Sequence, residues 1–188
     1  YTWSSFQAVN KLKHALKKHP SLLLDDKFVH LKIGHAGTLD PLATGLLIIC
    51  TGKFTKKINE YMGMEKEYTG TFTLGSTTTT YDLEKEPENF KDTAHLTPEI
   101  IHATTHQFIG DILQMPPQHS AIKKDGKRLY ESARLGIEVK VDPRPVTIKE
   151  FVITNIEMPV VHFKVVCSTG TYIRSLANDF GEALEVGA

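Results

Sequence analysis

Tyr68-Thr69-Gly70-Thr71-Phe72-Thr73-Leu74 alternates without a slip, with Tyr68, Gly70, Phe72 and Leu74 on one side and threonines on the other. A period of two predicts a strand with one buried face and one wet face. Such a strand needs partners, and the sequence supplies them. Phe151–Ile156 and Val160–Cys167 read as a hairpin around Met158-Pro159. Val29–Ile33 reads as a short strand, Gly45–Cys50 as an apolar strand buried on both faces, and Ser120–Lys123 as a further strand.

Helical patterns lie between these strands. Ser4 or Ser5 caps a helix whose Phe6, Val9, Leu12 and Leu16 fall near one face. Lys53–Tyr61 places Phe54, Ile58 and Tyr61 at helical spacing, and Thr97-Pro98-Glu99 starts a helix reaching about Phe108. Arg128–Leu135 reads as a helix ended by Gly136. Tyr172–Leu184 reads as an amphipathic one with Ile173, Leu176, Ala177 and Phe180 inward. Strands and helices mix without βαβ regularity, so the expected class is α+β, a mostly antiparallel sheet flanked by helices. The run Ser76–Thr80 and the acidic stretch to Phe90 are expected to form an exposed loop.

The chain has 188 residues, 40% of them hydrophobic, which fits a single domain; no internal repeat or boundary is visible. It begins at Tyr1 without Met and stops inside a helical pattern, so both ends are expected to be cut from something longer. The 22 basic and 22 acidic side chains cancel, but unevenly. Lys11, Lys13, Lys17 and Lys18 form one basic group, Lys53, Lys56 and Lys57 a second, and Lys123, Lys124, Lys127 and Arg128 a third; Asp82, Glu84, Glu86 and Glu88 gather the acids. A neutral protein can therefore present a positive face. Cys50 and Cys167 sit in apolar runs and read as buried free thiols of a reducing cytosol. No signal peptide or spanning segment is visible, and a cytoplasmic protein is expected.

Gly34-His35-Ala36-Gly37-Thr38-Leu39-Asp40-Pro41-Leu42-Ala43-Thr44-Gly45 places one acid on a glycine-permissive loop before a proline. Asp40 reads as a turn or cap residue, or as a nucleophile or general base aimed at a substrate. A phosphate loop is excluded, because Gly52-Lys53 lacks the following hydroxyl residue and the preceding glycine. In Ser168-Thr169-Gly170-Thr171-Tyr172-Ile173-Arg174, Arg174 is either a surface cation or the partner of a buried carboxylate. Tyr172 is either a core edge or a hydroxyl in a pocket. Tyr68 is either a half-buried aromatic or a stacking platform for a base. His102 and His106 lie four apart without a third metal ligand, and His35 stands out only by lying next to the Asp40 loop.

Together these segments resemble the bacterial TruB family of tRNA pseudouridine synthases. Gly34–Leu46 matches the signature carrying that family's catalytic aspartate, here Asp40. Lys66–Asp82 resembles the segment whose tyrosine stacks on the target base, here Tyr68, and Cys167–Gly181 the one supplying an active-site tyrosine and arginine, here Tyr172 and Arg174. Met115–Arg134 is similar to the family's Pro-Pro-x-x-Ser-Ala-x-Lys segment. Thr2, Thr79 and Lys85 depart from the usual glycine, aspartate and glycine.

The resemblance implies isomerisation of the T-loop uridine of tRNA (position 55) to pseudouridine, without metal or other cofactor, by a protein expected to be monomeric. His35 and Lys56 would contact the RNA, and Arg174 would pair with Asp40. It also implies a C-terminal RNA-binding extension that is not present in this chain. Asp40 could attack the sugar, attack C6, or remove a sugar proton. A catalytically idle tRNA-binding or tRNA-folding module on the same fold is the alternative. A hydrolase or phosphotransferase would need metal ligands or a phosphate loop, and neither is visible.

Overall fold

A computed structural model of the chain describes residues 3–17, 19–20, 23–24, 27–28, 31–120, 122–124, 126–133, 135–137 and 139–188. The chain divides into two compact units, Tyr1–Met64 and Glu65–Ala188.

The first unit opens with helix α1 (Ser5–Lys17). Ser4 caps it reciprocally: its hydroxyl accepts the Gln7 N–H at 3.2 Å, while the Gln7 carboxamide oxygen accepts the Ser4 N–H at 2.7 Å. Val9 is buried, but Phe6 is 65% exposed and Leu12 37%, so the apolar face of the helix is only partly covered. The cause is what α1 packs on. Its neighbour is the ribbon of β3 (Ile33–Ala36) and β4 (Ile48–Thr51), and two strands about 4.8 Å apart cover only a narrow strip of a helix. A smaller antiparallel ribbon joins β1 (Leu23–Leu24) to β2 (Lys27–Phe28).

The strand expected at Val29–Ile33 instead begins at Ile33 and runs through Gly34 and His35; Val29 and His30 lie outside the described residues. Likewise, Gly45–Cys50 is not a strand buried on both faces. Only its end enters β4, Cys50 is buried, and Leu46 is 86% exposed in the loop. Lys53–Tyr61 is two helical pieces, a 3₁₀ segment Gly52–Lys57 and α2 (Ile58–Met62). Three residues per turn rotate Phe54 off the line of Ile58 and Tyr61, and it projects into solvent. Gly34 permits α2 to approach closely: a Cβ there would meet the Ile58 Cδ1 at 2.7 Å.

The second unit is built on a four-stranded antiparallel sheet. Its strands are β5 (Lys66–Thr73), β6 (Gly110–Gln114), β9 (Arg144–Glu157) and β10 (Val160–Cys167), in the order β5-β10-β9-β6. Tyr68 pairs with Val165 and Phe72 with Val161, as the alternation requires. β10 alternates strictly, burying Val161, Phe163, Val165 and Cys167. Phe72 stacks on Phe163 with ring centroids 4.2 Å apart, and Phe151 meets Phe180 edge-on at 5.3 Å.

Two helices cover this face, α3 (Pro98–Thr105) through Ile101 and α5 (Ile173–Ala183) through Leu176 and Phe180. Thr97 caps α3, accepting the Ile100 N–H. Between β6 and β9 lie a tight ribbon of β7 (Lys123–Lys124) and β8 (Lys127–Arg128), and a helix α4 (Leu129–Ala133). The expected helix Arg128–Leu135 is thus shorter, with Arg134 outside the described residues and Gly136 at φ 70° beyond it. The strand expected at Ser120–Lys123 shrinks to β7, and Ala121 is not described.

All strand pairings among the described residues are antiparallel, and the class is α+β. Both cysteines are free and buried, and burial pushes the Cys167 thiol up. No helix among the described residues is long and apolar enough to cross a membrane.

Candidate active site

In the first unit, Asp40 lies in the loop between β3 and β4. Two glycines hinge that loop, Gly37 at φ 111° and Gly45 at φ 139°, conformations that other residues adopt only under strain. Asp40 opens a turn, its carbonyl accepting the Ala43 N–H at 2.9 Å, and its side chain is on the exposed side. The buried Ser5 hydroxyl of α1 accepts the Leu39 N–H at 3.0 Å, so the residue before Asp40 is moored to a helix. His35 is half-buried on β3, and its Nδ1 donates to the Gly37 carbonyl. A carbonyl can only accept, so this bond fixes the proton on Nδ1 and makes Nε2 the acceptor of the neutral ring. Lys56 projects from the 3₁₀ turn after β4 with Lys53 and Lys57, all exposed. This unit therefore brings Asp40, His35 and Lys56 onto the elements around one loop.

The second unit holds the other three predicted residues. Tyr68 is half-buried on β5, an outer strand, and packs against the core cluster. Tyr172 occupies the position just before α5 with extended backbone (φ −99°, ψ 110°) and no side-chain cap of its own. Arg174, in the first turn of α5, is mostly buried. Its guanidinium lies 3.4 Å from the Asp82 carboxylate and donates to the carbonyls of Thr80 at 3.4 Å and His119 at 3.2 Å. Arg174 and Asp82 side chains are 16% and 17% exposed, so each charge needs the other at close range.

Asp82 is the residue sequence reasoning missed. It was grouped with the acids of an exposed loop, and the structure corrects that. Ser76 and Thr80 are buried, and the hydroxyls of Thr78 and Thr80 wire the loop to Asp82. Thr80 donates to the Asp82 carboxylate at 2.7 Å, and that oxygen also accepts the Glu84 N–H at 3.0 Å; Thr78 donates to the Asp82 carbonyl and accepts its N–H. Thr77 and Glu88 close the loop base by two backbone bonds of 2.8 Å. The acids beyond Asp82, Glu84 to Glu88, are exposed as expected. Tyr81 sits at φ 59°, a conformation costing on the order of 1–3 kcal/mol outside glycine, and turns the chain directly before Asp82. The signal available in the sequence was position: Asp82 closes the very segment that carries Tyr68. His102 and His106 are exposed, and no group of three or more metal-ligating side chains occurs among the described residues.

Residues 25–173 match the TruB family pseudouridylate synthase (N terminal domain). The chain is 60% identical over 186 residues to tRNA pseudouridine synthase B of Flavobacterium johnsoniae, covering 99% of this chain and 79% of that protein. It is 46% identical over 187 residues to the enzyme of the same name from Parabacteroides distasonis, of which it covers 77%. Among solved structures, a Cbf5-Nop10-Gar1 complex contains a chain similar at TM-score 0.68 and 27% identity, over 98% of this chain and 42% of that one. A structure of an H/ACA RNP bound to a substrate RNA containing 2′-deoxyuridine shares the fold at TM-score 0.64. With its aspartate loop and arginine helix in the expected segments, the chain belongs to the TruB family of pseudouridylate synthases.

Proposed function

We propose that this protein converts the T-loop uridine of tRNA to pseudouridine, with Asp40 as the catalytic carboxylate. The observation that carries the reading is 60% identity to a tRNA pseudouridine synthase B, over 99% of this chain and 79% of that protein. The reaction breaks the bond between ribose C1′ and uracil N1, turns the base, forms the bond from C1′ to C5, and moves the C5 hydrogen to solvent while N1 gains one. Nothing is oxidised or reduced, so no redox cofactor is called for.

A stacked or paired uridine cannot meet a carboxylate and must be turned out of the RNA. Stacking on Tyr68 would return about 1–3 kcal/mol of the unstacking cost. Asp40 drives the glycosidic cleavage, and Tyr172 accepts the C5 proton or orients the base. Arg174 supplies a fixed positive charge at the start of α5, a counter-charge for the anionic groups of the reacting complex. A guanidinium carries five N–H donors, enough to serve Asp82 and the carbonyls of Thr80 and His119 together. His35 contacts the everted nucleotide, and Lys56 binds phosphate.

The test uses unmodified tRNA transcript carrying tritium at uridine C5. Wild type should release tritium from one T-loop site, mapped by sequencing. Asp40→Asn should lose at least about 10³-fold in rate, as removal of a reacting side chain does elsewhere. Its tRNA affinity should stay within about tenfold, or ~1.4 kcal/mol. Full release by Asp40→Asn would refute the assignment.

A further inference from the structure

Tyr172 and Arg174 can act only if the first turn of α5 is held in one orientation, yet Tyr172 provides no cap for that turn. The hold comes from the end of β6. Gln114, the last residue of that strand, is 1% exposed, and its carboxamide faces the Tyr172 backbone in both directions. Oε1 accepts the Tyr172 N–H at 2.8 Å, and Nε2 donates to the Tyr172 carbonyl at 3.0 Å. The same carbonyl accepts the first helical bond of α5, from the Leu176 N–H at 3.0 Å. One residue along, the Met115 carbonyl accepts the hydroxyl of Ser175, itself buried, at 2.7 Å. Tyr172 and Ser175 are three apart and share a helix face. Arg174 leaves from between them toward Asp82 and the carbonyls of Thr80 and His119.

We propose that Gln114 is a positioning residue for pseudouridine formation: with Ser175 it clasps the start of α5 and so fixes both the Tyr172 ring and the Arg174 guanidinium. A carboxamide suits the task because it offers a donor and an acceptor side by side, spaced to pair with one residue's N–H and C=O as a neighbouring strand would. An apolar side chain of the same volume fills the space without setting the register. The inference rests on the function proposed above, since it assigns Gln114 a part in that reaction.

The experiment compares wild type with Gln114→Met, Gln114→Glu and Ser175→Ala in single-turnover tritium release from tRNA. Each variant is first shown folded by circular dichroism. Gln114→Met should lower the maximal rate on the order of 10–100-fold, the scale on which a misplacement near 1 Å acts, while the tRNA dissociation constant moves less than about threefold. Gln114→Glu distinguishes positioning from packing. Ionised, it cannot donate to the Tyr172 carbonyl; protonated, it is a near-isostere of glutamine. Its rate relative to wild type should therefore climb as pH falls.

Backbone amide exchange at Tyr172 should accelerate in Gln114→Met whether or not the protein acts on tRNA. An inactive wild type with accelerated exchange in the variant would sink the tRNA reading and leave the clasp standing. A wild-type rate in folded Gln114→Met, or a Gln114→Glu ratio flat with pH, overturns the positioning role. Ser175→Ala should show a smaller loss in the same parameter, and a loss confined to affinity would contradict it.

Discussion

The two units of this chain carry their candidate site residues on foundations of different depth. Among the residues of the first whose burial is described, Ser5, Val9, Ala36 and Cys50 are the buried ones. The second closes four strands and two helices around Phe72, Phe151, Phe163 and Phe180. Asp40 rides a glycine-hinged loop of the shallow unit, moored through Leu39 and Ser5. Tyr68, Tyr172 and Arg174 stand on a strand and a helix of the deep one. The contrast separates two demands. On the function proposed above, the reacting carboxylate would sit on a loop that adapts around a bulky RNA, while the groups that orient a base and compensate charge would have rigid supports.

The largest expected effect tests the foundations themselves. Phe180→Ala removes a fully buried ring in contact with three other phenylalanines and should cost about 3–5 kcal/mol in urea unfolding. Val9→Ala removes two methyl groups from the shallow unit and should cost roughly 1.5 kcal/mol. Equal losses at the two positions would break the comparison, because they would put comparable packing beneath both sites.

Next in size is Tyr68→Leu. Leucine keeps the apolar bulk against the core and removes the aromatic face, so stability should change little. The rate of pseudouridine formation should fall by about 1–3 kcal/mol in effective barrier, roughly 5- to 150-fold. Single-turnover tritium release measures it. An unchanged rate with unchanged stability would reduce Tyr68 to a strand residue.

What the sequence disclosed follows the same division between local and distant causes. The alternation of Tyr68–Leu74 and the Thr97-Pro98 helix start were legible because a strand face and a cap are decided by neighbours in the chain. β9 was read from Phe151, yet it begins at Arg144. Pro145 and the charged pair Lys149-Glu150 hide its first half, which pairs with β6 near the sheet margin, where such residues are tolerated. For α1 the sequence shows the helix and its apolar face but not its burial, since periodicity reports an apolar stripe and not the width of what covers it. Asp40, His35, Tyr68, Tyr172, Arg174 and Lys56 are candidates that the family resemblance singles out from the sequence. Asp82 and Gln114 are not, because their partners lie 92 and 58 residues away along the chain. A carboxylate in an acidic run and a carboxamide ending a strand acquire meaning only when the chain folds back.

The smallest effect sharpens the comparison at its exposed edge. Lys56 and Lys57 leave the same 3₁₀ turn of the shallow unit, but Lys57 lies 3.6 Å from Glu60, an exposed pair of little energetic worth. If Lys56 meets a tRNA phosphate, Lys56→Ala should reduce the slope of log affinity against log salt by roughly 0.7–0.9, the share of one phosphate contact. The maximal rate at saturating tRNA should stay at the wild-type level, since a phosphate contact positions the RNA without touching the reacting base. Filter binding at a series of salt concentrations gives the slope, and Lys57→Ala is the control for general loss of charge. An identical slope change in both variants would mean that the turn acts as a diffuse positive field. A change confined to Lys56→Ala would make the turn a docking point for the substrate, on the same unit as Asp40, the carboxylate proposed to react with it.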